Sequence, residues 1–301
     1  MSIKIGVNPI AWTNDDMPEL GRDTTLEQCL QEGKKAGYSG FELGSKFPRQ
    51  ADVLRPILEK HDLDLVSGWF SGQLLNRSLD EEIKSIDPHL QLLKTLGSKV
   101  MVYCEVSSCI HGRRDVPLSQ RPVMNEKQWQ EWTENLNALA KYTLSQGVQL
   151  AYHHHMGTVI QTQEEVEKLM KMTTPDLGLL LDTGHLLFSG GEPLTIYKKY
   201  SERINHIHCK DIRKDILHKA LNEDLSFLDA VLNGVFTVPG DGCIDYKSLF
   251  EQIYQTNYQG WVVVEAEQDP DIAHPLTYAE MGYNNIKQYC QSSGIKINKT
   301  T

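Results

Sequence analysis

Four stretches of the chain end in side chains that can hold a metal or move a proton: LAYHHH (His153, His154, His155), LLLDTGH (Asp182, His185), INHIHCKD (His206, His208, Lys210) and WVVVEAE (Glu265, Glu267). Each group follows an apolar run, so each marks the C-terminal end of a strand. If a sheet gathers those ends, one histidine of the triple with Asp182, His208 and Glu265 makes a mixed nitrogen and oxygen donor set. Such a set suits a divalent first-row cation, Mn, Co or Zn, better than a soft metal. The histidine triple is internal, which excludes an affinity tag. Residues two apart share a strand face, so His153 and His155 point one way and His154 the other. His206 pairs in the same way with His208, and Glu265 with Glu267. Which member of each pair reaches a metal depends on where its strand ends.

Each residue also has a plainer reading. Asp182 could cap the segment that follows it. His208 could be an ordinary histidine near a strand end, and Glu265, unpaired, would raise its pKa rather than stay charged. Four such ends on four consecutive strands favour a shared centre.

The elements that must position these groups alternate along the chain. Strands are expected over residues 3–8, 40–43, 63–69, 99–104, 148–153, 177–182, 203–208 and 261–265. Helical periodicity lies between them over 25–36, 53–61, 80–96, 126–145, 164–172, 247–255 and 278–291. Gly37, Gly97 and Gly147 stand where left-handed helix ends are required. Eight β/α rounds in 301 residues predict a single-domain (β/α)8 barrel over residues 1–301. A doubly wound open sheet is the competing architecture, but no G-x-G-x-x-G turn follows the first strand. Two connections are long, 105–125 and 211–245. Both follow strands, so both are expected to overhang the C-terminal mouth as lids. Residues 297–301 read as a frayed tail.

Thirty basic against forty acidic residues give a net charge of −10, with no basic stripe to meet a phosphate backbone. Nucleic acid is therefore not expected as a partner. No apolar run is long enough to span a bilayer, and the N-terminus enters a strand without an export signal, so a cytoplasmic protein is expected. Six cysteines form no CxxC pair and read as reduced thiols.

With these residues in view, LLLDTGH, HIHCKD, VPGDGCIDY and GWVVVEAEQDP resemble the xylose-isomerase-like TIM barrels. In finer detail, VNPIAW, GFELGSKFP, YHHHMGT and VVVEAEQDP are similar to the inosose dehydratase family, hydro-lyases of bacterial inositol catabolism. The resemblance spans essentially the whole chain. It implies a metal held by a strand-5 glutamate, the aspartate of DTGH, the second histidine of HxHxKD and the strand-8 glutamate. Three of these carry over onto Asp182, His208 and Glu265, whereas the strand-5 position reads His153. Losing that glutamate argues against an epimerase built on two opposed carboxylates; a ketose isomerase or epimerase is the alternative activity.

The implied reaction removes water beside a ketone, converting scyllo-inosose to a trihydroxycyclohexane-1,2-dione. His153 is expected to ligate and His155 to move a proton, with His154, His185 and Lys210 as further catalytic candidates. Asn8, Trp12, Glu42, Lys46, Trp69, Glu105 and Glu267 are candidates to hold a hydroxyl-rich substrate. His111, Arg113 and Arg114 read as a solvated basic turn, with closure over substrate as the other reading. A small polyol or keto-cyclitol partner, Mn or Co, and a homodimer are expected. Glutathione is implied by the resemblance alone.

Overall fold

The computed structural model describes residues 1–298. Eight parallel strands hydrogen-bond in chain order: β1 (Ser2–Val7), β2 (Gly40–Leu43), β3 (Asp64–Gly72), β4 (Val100–Glu105), β5 (Gln149–His153), β6 (Gly178–Asp182), β7 (Ile204–Cys209) and β8 (Trp261–Val264). β8 closes the ring on β1, with Ile5 opposite Val262 and Val7 opposite Val264. Helical segments follow each strand, which makes the fold the (β/α)8 barrel that the alternating pattern predicts.

The strands are apolar on both faces because both are covered. Leu150, Tyr152, Leu179, Leu181, Ile207, Val262 and Val264 join the large core between barrel and helices. On the opposite face Val102, Ala151 and Leu180 form a small inner cluster, with Trp69 against it. Leu180 has no exposed surface, and truncating such a residue to alanine costs about 2–5 kcal/mol. Two residues further along the same faces come His153 after Ala151 and Asp182 after Leu180. The inner wall thus turns polar where the strands end. Register completes the gathering, because Asp182 lies directly opposite His208, and His208 opposite Val263.

Local signals set the helices. Capping boxes at Ser78 with Glu81, Asn125 with Gln128 and Thr162 with Glu165 start three of them. Gly37, Gly97 and Gly147 follow helices with positive φ, as expected. The last long helix begins earlier than the periodicity suggested, at Pro275–Ser293, because Pro275 fits a first turn where its missing N–H is not needed. β3 likewise runs three residues beyond position 69.

The segment 211–245 differs most from expectation, for it is not a bare connection. It contains an antiparallel pairing of Asp211–Ile212 with Phe236–Thr237 and, between these strands, helices Lys214–Asn222 and Phe227–Leu232. Its apolar residues build a second core with Met17 and Met156 from other loops and Phe188 from the helix Thr183–Phe188. It is tied to the segment after β4: the Leu118 N–H donates to the Leu225 carbonyl, Ser119 Oγ to Asp224 and Arg114 to Asp229. At the C-terminus, Lys296–Ile297 pairs with Ser2 and Ile3 rather than fraying; residues 299–301 of the expected tail lie outside the described residues. All six cysteines are unpaired thiols. Among the described residues no helix is long and apolar enough to cross a membrane.

Candidate metal centre

The donors at the ends of β5 to β8 converge. One atom each from His153, Asp182, His208 and Glu265 lies within 4.8 Å of the others, and all four residues are buried. Each donor is oriented by a second contact. His153 Nδ1 lies 2.6 Å from the His154 carbonyl, which can only accept, so Nδ1 carries the proton and Nε2 presents its lone pair 3.7 Å from Asp182 Oδ2. Asp182 divides its oxygens: Oδ1 accepts the His185 N–H at 2.8 Å, capping Thr183–Phe188, while Oδ2 has no hydrogen-bond partner. His208 Nε2 donates to Glu42 at 3.1 Å. Its Nδ1 lies 2.8 Å from Glu265 Oε2 and 3.5 Å from Asp182 Oδ2 in a geometry that makes no hydrogen bond. A buried carboxylate oxygen and a buried ring nitrogen, both unpartnered and facing one another, are what a cation would satisfy. The donor set fits a divalent metal.

Electrostatics support charged carboxylates here. Burial opposes ionisation of Glu265, but His208 and Lys210 outweigh it and bring its pKa down to about 2. Burial drives His153 well below its ordinary value, with the charge of His208 adding to it, so the ring is neutral as a ligand must be.

Behind this set lies a fully buried ammonium. Lys210 Nζ is 2.6 Å from Glu265 Oε1, 2.8 Å from Glu267 Oε2 and 3.0 Å from His185 Nε2. Burial alone would lower its pKa; Glu265, Glu267 and Asp182 raise it instead. His155, His185 and Glu267 form another cluster with cation-ligand spacing, and the Lys210 ammonium is bonded to two of its members. His155 donates Nδ1–H to the Met156 carbonyl at 2.8 Å, leaving Nε2 as an acceptor 3.9 Å from Glu267 Oε1. His153, His155, His208, Glu265 and Glu267 all line one cavity of about 290 Å³, together with Asn8, Glu42 and Trp69.

This barrel, with its donors at the C-terminal rim, matches a known family over most of its length. The model of the xylose isomerase-like TIM barrel family matches residues 30–289. The chain belongs to that family. It is 50% identical over 297 residues to the rhizopine catabolism protein MocC of Rhizobium meliloti, covering 99% of this chain and 91% of the relative. It is 49% identical over 280 residues to inosose dehydratase 2 of Bacillus cereus, covering 92% and 94%. Among solved structures, the IolI protein with a binding zinc atom superposes at TM-score 0.68 and 18% identity, covering 97% and 98%. The probable 3-DHS dehydratase AsbF of Bacillus anthracis does so at 0.69 and 13%, covering 95% and 99%. These two likenesses concern the fold.

Within the xylose isomerase-like frame, the remaining sequence expectations separate into residues that face the cavity and residues that do not. Glu42 lines it, yet its carboxylate is already engaged by Asn8 Nδ2 at 2.7 Å, Ser67 Oγ at 2.5 Å and the rings of His206 and His208. Glu42 and Asn8 therefore buttress His208 rather than offer free contacts. Trp12 is a correction: it is fully buried, with Nε1 donating to Glu32 at 2.6 Å. Glu105 is another, turned into a nest formed by the N–H groups of Leu75 and Ser107 and Trp132 Nε1. Lys46 binds the carbonyls of Gly21, Arg22 and Thr24 and so ties down the loop after β1.

His154, on the opposite strand face, accepts the Asp182 N–H through Nε2 at 3.3 Å and does not line the cavity. His185 and Lys210 are fully buried and lie behind the cavity wall. Arg113 and Arg114 pair with Asp115 and Asp229 at the surface, as a solvated turn should. His111 departs from that reading and faces the cavity, packed against His155 at 5.1 Å between ring centroids. Asp15, Asp16, Arg49 and Ser71 line it too, and the sequence reading missed them. They come from loops and a strand extension where no periodic pattern exists. The lone Met17 in a polar run was the available signal, because its burial fixes Asp16 beside it.

Proposed function

We propose that the chain is a metal-dependent hydro-lyase that removes water from scyllo-inosose (2-keto-myo-inositol) to give the trihydroxycyclohexane-1,2-dione of inositol catabolism. The observation that carries this reading is 49% identity, over nearly the whole chain, to proteins named inosose dehydratase, joined to a cavity whose donors suit it. His153, Asp182, His208 and Glu265 would hold the metal, with Mn or Co preferred and Zn possible for this donor set. When bound, the cation supplies a Lewis acid that polarises a ketone and stabilises the negative charge that builds on its oxygen.

The chain's own residues do the rest. His155 Nε2 is the free acceptor on the cavity wall, and it removes the proton alpha to the ketone. Its Nδ1–H bond to Met156 holds the tautomer, and Glu267, 3.9 Å away, faces the imidazolium that forms. Burial works against a charged Glu267, but Lys210 and His155 lower its pKa, so this carboxylate is ionised for that task. Trp69 lies edge-on to both His153 and His155, at 5.4 and 5.7 Å, and supplies an apolar wall for the ring of the substrate. The β-hydroxyl leaves as water once protonated.

The ketose epimerase reading loses ground at strand 5. A pair of opposed carboxylates would remove and return a proton on two faces, and His153 stands where one of them belongs. We place the enzyme in the cytoplasm, as a homodimer, with segments 105–125 and 211–245 covering the mouth. The deciding experiment incubates Mn- or Co-loaded protein with scyllo-inosose and follows ultraviolet absorbance of the enolised dione. No absorbance with either metal overturns the hydro-lyase reading, and solvent deuterium entering recovered substrate without water loss would favour an isomerase.

A further inference from the structure

The proposed reaction has two proton transfers, one from the alpha carbon and one to the β-hydroxyl on the neighbouring carbon. His155 has one free nitrogen, so while it holds the alpha proton a separate acid on the same cavity can serve the departing hydroxyl. Asp16 lines the same cavity as His155, Glu267, His153, His208 and Glu265, yet belongs to the loop after β1 and has no part in the metal cluster. Its side chain has a single near neighbour of opposite type, His111 Nε2 at 3.7 Å from Oδ1, too far for a hydrogen bond.

The loop is built to hold Asp16 in place. Asn14 Oδ1 accepts the N–H groups of both Asp16 and Met17 at 2.9 Å. Met17 is buried in the second core, and Lys46 ties the far end of the loop through three carbonyls. Ser45 N–H donates to Asp15 at 3.3 Å, which leaves Asp16 as the neighbour with no hydrogen-bond donor committed to its carboxyl.

From this placement we propose that Asp16 is the general acid of the reaction, giving its carboxyl proton to the departing β-hydroxyl. The inference rests on the hydro-lyase reading. Electrons from the broken alpha C–H bond form the new C=C bond, the β C–O bond breaks, and its oxygen takes the Asp16 proton to leave as water. His155 then gives the alpha proton to solvent and the Asp16 carboxylate takes one up from solvent, so both groups return to their starting states. Burial and the negative charge of Glu267 push the Asp16 pKa up to about 6, Asp15 adding to the rise while His155 and Lys210 oppose it, so a protonated fraction exists near neutrality.

The test separates carbon-acid chemistry from loss of water. Metal-loaded wild type, D16N and D16E are compared for deuterium uptake into scyllo-inosose in D2O, for dione formation, and for fluoride release from an analogue whose β-hydroxyl is fluorine. The expected result is that D16N keeps deuterium uptake, forms dione about 100- to 10,000-fold more slowly, and releases fluoride within about threefold of wild type, because that leaving group needs little protonation. D16E restores part of the dione rate. Dione formation by D16N near the wild-type rate overturns the assignment, as does equal loss of deuterium uptake and fluoride release. Failure of wild type itself to form dione or release fluoride would instead strike the hydro-lyase reading.

Discussion

Glu42 accepts the Nε2–H of His208 at 3.1 Å, and that bond decides which nitrogen of His208 faces the other donors. A carboxylate cannot donate, so Nε2 keeps its proton, and Nδ1, protonated in the metal-free chain beside Glu265, is the nitrogen that gives up its proton to a cation. In E42Q the amide can present an N–H to the ring and reverse this choice. Metal affinity, measured by competition with a fluorescent chelator, should fall about 10- to 100-fold. An unchanged affinity would show that the bond does not orient the ligand.

His155→Ala should lower turnover on scyllo-inosose about 100- to 10,000-fold while leaving metal content unaltered. Atomic absorption on the purified variant checks the second half. Full turnover with metal still bound would remove His155 from the proton step.

Lys210→Met leaves Asp182, Glu265 and Glu267 crowded without their buried cation. The metal-free variant should lose about 3–5 kcal/mol in urea denaturation, since breaking a buried ionic cluster strands its remaining charges. A loss below 1 kcal/mol would mean that the carboxylates relax by taking up protons at little cost.

His89 gives the protein an acid-side slope in stability. Burial lowers its pKa from 6.5 to about 4, partly offset by its bond to the Gly68 carbonyl. The folded value lies below the unfolded one, so the unfolded chain binds this proton first. Its contribution is intact above pH 6.5 and is lost as pH falls through 4. H89Q should therefore lose less stability than wild type between pH 6.5 and 4. Parallel curves for the two proteins would contradict the shift.

The barrel was legible because its strands and helices are periodic, and the convergence of four donors was legible because four polar residues interrupt four apolar runs at the same relative position. Trp12 and Glu105 were misplaced for a common reason. Each lies near a strand end, but Glu32 satisfies the one and the backbone around Ser107 the other, and sequence distance alone cannot show such partners. Asp16 and His111 lie in connections whose course is set by contacts with remote residues, Met17 with the second core and Ile110 with Gly157. Glu42 was found at its strand end, but its saturation by four neighbours is a fact of packing.

The divided carboxyl of Asp182 ties two processes together. A helix of six residues has too few turns to persist unaided, and here its first bond comes from the same group whose other oxygen faces the centre. Occupancy of the centre and persistence of Thr183–Phe188 therefore belong to one equilibrium. Whatever holds Oδ2 also fixes the carboxyl whose other oxygen caps the turn that carries His185.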